Sequence, residues 1–216
     1  MNSINEVTII DYGVGNLLSV QRGLEHCGAK VRLTSDPQVI LKSQRVVLPG
    51  VGAFPNAMSA LEKLNLISVI QELAKTGKPL LAICLGMQLL LEQSEEFGLN
   101  FGLGIIPGRV LPIPDRTTQG DLQKIPHIGW SELEVAHNRS NWHGTVLQEN
   151  SYADSAYFVH SYMALVTDPK DQIAHVNYGG HEISAVISRG YVTGCQFHPE
   201  KSGEVGLKIL RRFINQ

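Results

Sequence analysis

Cys84 stands where a short apolar run, residues 80–83, meets a leucine-rich stretch, residues 86–92, and that junction suits nucleophilic chemistry. The run after Pro79 reads as a strand buried on both faces, and the stretch after it as the start of a helix. A side chain turned outward at so sharp a bend needs small neighbours two positions either way. Ala82 and Gly86 occupy those positions. This is the arrangement of a nucleophile elbow, with sulfur in place of a hydroxyl. An unshifted thiol is only a few per cent thiolate at neutral pH. Lowering its pKa by two units requires about 2.7 kcal/mol of preference for the charged form, whereas a helix dipole supplies about 0.3–1 kcal/mol. A nearby base is therefore required. Without one, Cys84 reads as an inert core cysteine.

The base is offered by Gly194-Cys195-Gln196-Phe197-His198-Pro199-Glu200, which sets an imidazole and a carboxylate two residues apart at the end of an apolar run. In a cysteine hydrolase the imidazole takes the thiol proton and returns it to the leaving amine, and the carboxylate holds the tautomer and supports the charge. The pair lies more than half the chain away from Cys84, so only the fold can unite the three. Without Cys84 the same residues read as a turn with a solvated acid. The remaining histidines, at 26, 127, 137, 143, 160, 175 and 181, show no ligand spacing such as H-E-x-x-H, so no metal site is expected. Gly13-Val14-Gly15 lacks the third glycine of a dinucleotide fingerprint and reads as a tight turn.

To bring these groups together the chain needs a layered fold. Strands are expected at residues 7–11, 30–34 and 45–48, and helices at 16–27 and over most of 56–76. Asp36-Pro37 serves as an N-cap with proline at the first helical position. Such alternation predicts a parallel sheet covered on both faces, with its site at the carboxyl ends of the strands. The Pro49-Gly50-Val51-Gly52 turn and Cys84 should share that edge. The second half changes character. Loops are expected at residues 97–108 and 114–126, then β-leaning runs at 128–135, 157–165, 172–178, 183–188 and 191–197, with Gly179-Gly180 as a hairpin turn. A helix opening at Ser202-Gly203-Glu204 closes the chain, with Val205, Ile209, Leu210 and Phe213 on one face. The expected fold class is α/β: a mostly parallel central sheet flanked by helices, flavodoxin-like, with additional antiparallel strands in the C-terminal half. One domain spanning 1–216 is expected.

The 216 residues suffice for one well-filled core, and a net charge of −2 with scattered Lys and Arg argues against nucleic-acid and polybasic membrane roles. The first residues, Met1-Asn2-Ser3-Ile4-Asn5-Glu6, lack a signal-peptide pattern. The longest apolar stretch is too short to span a bilayer, which predicts a cytoplasmic protein. Three widely spaced cysteines form neither a disulfide framework nor a zinc ribbon.

Taken together, Cys84-Leu85-Gly86-Met87-Gln88, the Pro49-Gly50-Val51-Gly52 turn and His198-Pro199-Glu200 resemble the class I, or triad-type, glutamine amidotransferases. Pro126-His127-Ile128-Gly129-Trp130, Tyr157-Phe158-Val159-His160-Ser161-Tyr162 and His198-Pro199-Glu200-Lys201-Ser202 narrow the resemblance to the glutaminase subunits of imidazole glycerol phosphate synthases, over essentially the whole chain. The resemblance implies that Cys84 attacks the side-chain amide of glutamine, His198 passes the proton to ammonia and Glu200 orients His198. It implies an oxyanion hole from Leu85 with Val51 and Gly52. Val51 stands where most members carry glycine, which suggests a hole completed only with the partner. It further implies glutamine contacts at Gln88, Glu96, Ser161 and Tyr162, and no cofactor. The implied partner is a (β/α)8-barrel cyclase in a heterodimer, met through the segments of Asn16, Tyr157 and Lys201 and receiving the ammonia. A stand-alone γ-glutamyl or peptide hydrolase and a non-catalytic binding subunit are the alternatives.

Overall fold

In the computed structural model, which describes residues 5–216, strands and helices alternate through the first half. Residues 1–4, on which the reading of the N-terminal segment partly rests, lie outside the described residues. Strand β1 (Glu6–Ile10) leads through helix α1 (Leu17–His26) to β2 (Lys30–Thr34), and α2 (Pro37–Lys42) leads to β3 (Val46–Gly50). Two helices, α3 (Phe54–Lys63) and α4 (Leu66–Lys75), then precede β4 (Leu80–Cys84), which runs without a break into α5 (Leu85–Leu89). After these come β5 (Gln93–Ser94), β6 (Asn100–Phe101), β7 (Gly108–Pro112), β8 (His127–Glu132), β9 (Glu134–Val135), β10 (Ser155–His160) and β11 (Tyr162–Val166). Strands β12 (Gln172–Tyr178), β13 (His181–Arg189) and β14 (Val192–Cys195) and helix α6 (Gly203–Ile214) complete the order.

The main sheet has eight strands in the order β2-β1-β3-β4-β14-β13-β12-β9. Its first five are parallel and the last three join in antiparallel fashion. Alternate residues of each central strand face opposite layers. Val47, Leu81 and Ile83 pack with Val20 and Leu24 of α1 and Ile209 and Phe213 of α6. Val46, Leu48, Leu80 and Ala82 pack with Ile40, Leu61 and Ile70 from α2, α3 and α4. Covering both faces explains why β3 and β4 are buried at every position. Asp36 caps α2 as its sequence suggests, its Oδ1 accepting from the N–H groups of Gln38 and Val39.

The structure departs from the sequence expectations in the connections. The helical stretch of 56–76 starts two residues earlier and breaks at Asn65, which takes a left-handed conformation between α3 and α4. The helix expected at 86–92 stops at Leu89. The β-run 157–165 is two strands in different sheets, β10 pairing with β8 and β11 with β7. The loop over 97–108 contains β6 and the start of β7, which join β5 and β11 in a small four-stranded sheet. Among the described residues no helix is long and apolar enough to cross a membrane.

Candidate active site

Three neighbouring parallel strands deliver the candidate catalytic groups to one edge. Strand β4 pairs with β3 so that Cys84 lies abreast of Gly50, and with β14 so that Cys195 lies abreast of Ile83. Chain leaving β14 therefore emerges beside the end of β4, which is why residues remote in sequence meet here. Cys84, His198, Gln88, Glu96, Val51, Gly52, Leu85, Ser161, Tyr162 and Lys201 line a single cavity of about 360 Å³, together with Pro126, Val159 and His160.

At the elbow, Cys84 adopts φ 56°, ψ −114°, a positive-φ conformation that costs an L-residue of order 1–3 kcal/mol. Close packing holds it there. A Cβ on Gly86 would lie 2.1 Å from the Leu48 carbonyl oxygen, and one on Gly50 would lie 2.7 Å from the Gly86 nitrogen. The two glycines let the end of β3 press against the first turn of α5, bringing Val51 and Gly52 to the cavity beside Leu85. The Leu85 N–H begins a helix and so has no intrahelical acceptor. Helix α5 spans only five residues.

The base is held on both sides. His198 Nδ1 lies 2.7 Å from Glu200 Oε1, and both side chains are buried. Since a carboxylate only accepts, Nδ1 carries the proton and Nε2 is the nitrogen left for the thiol. Burial pulls the His198 imidazole down. Hydrogen bonds and negative charge at Cys84 and Glu200 outweigh it and push the group up to about 9. The His198 backbone is fixed by Tyr157, whose carbonyl accepts from the His198 N–H at 3.0 Å, while Ser202 Oγ bridges the Tyr157 N–H and the His198 carbonyl. Burial pushes the Cys195 thiol up, and this residue sits in the core. Cys27 lies between α1 and α6, where its Sγ is 3.6 Å from the Leu207 carbonyl. Cys84 is the one cysteine lining the cavity.

The amide of Gln88 is anchored, its Nε2 donating to the Tyr162 carbonyl and to Gln196 Oε1, each at 3.0 Å. Glu96 reaches the cavity with one oxygen engaged, Oε2 accepting from the Phe54 N–H at 2.8 Å at the start of α3. Lys201, expected only at a partner surface, also lines the cavity. Asn16 and Tyr157 do not line it: Asn16 precedes α1 without capping it, and Tyr157 acts on His198 through its backbone.

Two residues escaped the sequence reading. Gln196 Nε2 lies 3.9 Å from Cys84 Sγ; it stands just past the end of β14, beside the end of β4, and no motif in the sequence marks it. His160 lines the cavity with Nδ1 2.8 Å from the Tyr162 carbonyl, and burial pulls it down to about 3, so it stays neutral. No spacing in the sequence distinguishes it from the other histidines.

The family described as glutamine amidotransferase class-I matches residues 8–216. The chain belongs to that family. Among curated relatives of this class-I amidotransferase, the imidazole glycerol phosphate synthase subunit HisH 1 of Legionella pneumophila (strain Lens) is 50% identical over 211 residues, covering 98% of this chain and 99% of the relative. The imidazole glycerol phosphate synthase subunit HisH of Lactococcus lactis subsp. lactis is 45% identical over 214 residues, 99% of this chain and 100% of the relative. The fold is shared more widely. PurLQS from Thermotoga maritima superposes with a TM-score of 0.70 at 19% identity, covering 97% of both chains. A solved glutamine amidotransferase gives 0.70 at 14% identity, covering 97% of this chain and 99% of its own.

Proposed function

We propose that this amidotransferase is the glutaminase subunit of an imidazole glycerol phosphate synthase in histidine biosynthesis, a single cytoplasmic domain spanning 1–216. The observation that carries the reading is that Cys84 and His198 line one cavity with Glu200 buried behind His198 and bonded to it, in a chain that matches HisH subunits along nearly their whole length. The Cys84 thiolate attacks the side-chain carboxamide carbon of L-glutamine, and the carbonyl electrons move onto oxygen. Backbone N–H groups of Leu85 and of the Val51–Gly52 turn receive that oxyanion; losing one such donor typically costs about 2.7–4 kcal/mol. Imidazolium His198 protonates the amide nitrogen, the C–N bond breaks and ammonia leaves a γ-glutamyl thioester. Water, deprotonated by His198, then releases glutamate and restores the thiol.

Gln88, Ser161 and Tyr162 hold the head group of glutamine, and the second oxygen of Glu96 receives its ammonium. Ammonia protonated in bulk water is no nucleophile, so the product passes directly to a (β/α)8-barrel cyclase, which makes imidazole glycerol phosphate and the aminoimidazole carboxamide ribotide by-product. That cyclase docks through the segments of Asn16, Tyr157 and Lys201. The test is ammonia release by the wild type and Cys84→Ala, each with and without cyclase and its ligand. Release by the wild type that rises sharply with cyclase, and no release by the variant, is the expected outcome. Wild-type turnover indifferent to cyclase would favour a stand-alone hydrolase, and activity surviving in Cys84→Ala would remove the nucleophile.

A further inference from the structure

At the free end of the main sheet, away from the catalytic cavity, three strands place a second group of chemistry-bearing side chains together. His175 on β12 lies directly opposite Glu134 on β9, and Asn177, two residues on and on the same face, lies opposite Glu182 on β13. His137, just past β9, folds over the same patch, its Nε2 2.5 Å from Glu182 Oε1. Ligand atoms of His137, His175 and Glu182 all fall within 4.8 Å of one another.

His175 is the unusual member. Its side chain is 4% exposed, yet Nδ1 has no partner among the described residues and Nε2 approaches only Glu134 Oε2, at 3.6 Å. A buried polar ring is ordinarily bound at its nitrogens, and 3.6 Å is too long for a hydrogen bond. The ring is thus not committed to holding the fold. The other groups are exposed: His137 at 77%, Glu134 at 53% and Glu182 at 46%.

We propose that His137, His175 and Glu182 bind a divalent cation of the zinc class, with Glu134 as a fourth ligand. Two imidazoles and carboxylates form a donor set that suits zinc, whose bonds of about 2.0–2.2 Å put tetrahedral ligand atoms roughly 3.4 Å apart. The three ligand atoms need to close by at most about 1.4 Å, a movement available to exposed side chains above a fixed buried imidazole. The bound ion ties the segment after β9 to the β12–β13 hairpin. No sequence motif signals the site, because its ligands come from three strands that become neighbours only through register.

The test is zinc titration of the full-length Cys84→Ala chain, which removes the catalytic thiol as a competing ligand. Calorimetry should give one equivalent bound. Adding His137→Gln or Glu182→Gln should weaken binding at least about tenfold. Zinc should raise the thermal midpoint of the parent and leave that of each variant unmoved, while the metal-free midpoints agree because both positions are exposed. Absence of stoichiometric binding, or affinity undiminished in both variants, would overturn the proposal.

Discussion

His198 is where protonation, geometry and turnover meet. Its pKa lies above the ordinary histidine value because the negative charge at Cys84 and Glu200 outweighs burial. The imidazolium proposed to protonate departing ammonia therefore persists until about pH 9, and on that proposal turnover should fall with alkaline pH through that point. Replacing Glu200 by Gln removes one of the two anionic partners and leaves the ring's tautomer unsupported. Turnover should drop roughly 100- to 10,000-fold, and the alkaline limb should move to lower pH in a pH–rate profile. The same shift carries a stability term of definite sign. A base whose folded-state pKa is raised stabilises the fold fully below its unfolded value, near 6.5, and the contribution disappears as pH rises through about 9. Urea unfolding across that window should show stability declining with pH in the wild type and declining less in Glu200→Gln.

At the scale of elements, the junction of β4 with α5 stores strain that packing enforces. Ordinarily glycine in place of alanine costs about 0.5–1 kcal/mol, but position 84 sits at φ 56°. Cys84→Gly should therefore be more stable than Cys84→Ala, by about 1 kcal/mol, when the two inactive variants are compared by chemical denaturation. Gly86→Ala should do the reverse. Its Cβ would lie 2.1 Å from the Leu48 oxygen, which is backbone and cannot swing aside. A destabilisation of about 1–3 kcal/mol is expected, with glutaminase activity lost as Leu85 is displaced. Much of this junction was legible in the chain itself: proline, apolar run, cysteine and glycine in fixed order dictate strand, elbow and helix. The parallel half of the sheet was legible for the same reason, since strands buried on both faces read as unbroken apolar runs. The connection at Ser161 was not. Burial alternates without interruption along β10, and neither glycine nor proline marks the corner where the chain leaves β8 for β7. Gln196 and His160 were missed because their roles depend on which strands become neighbours.

Across the whole molecule, three of the exposed apolar side chains stand on segments next to those that build the candidate catalytic cavity. Leu18 is 56% exposed just beyond the loop leaving β1, and Val51 is 38% exposed just after β3. Trp130 is 58% exposed on β8, edge-on to Tyr157 at 6.0 Å. Tyr157 is bonded through its backbone to His198, so a partner seated on Trp130 would press on the strand that fixes the proposed catalytic base. A partner covering this rim would bury the apolar groups and close the cavity over ammonia in one movement. Trp130→Ala removes the largest anchor from that surface but little from the core. Binding to the proposed barrel cyclase should weaken by about 2 kcal/mol, roughly 30-fold in Kd. The isolated subunit should unfold within about 0.5 kcal/mol of the wild type. Calorimetric titration with cyclase, beside thermal unfolding of the subunit alone, separates the two effects: unchanged affinity would place the docking surface elsewhere, and a large loss of stability would make Trp130 a structural residue.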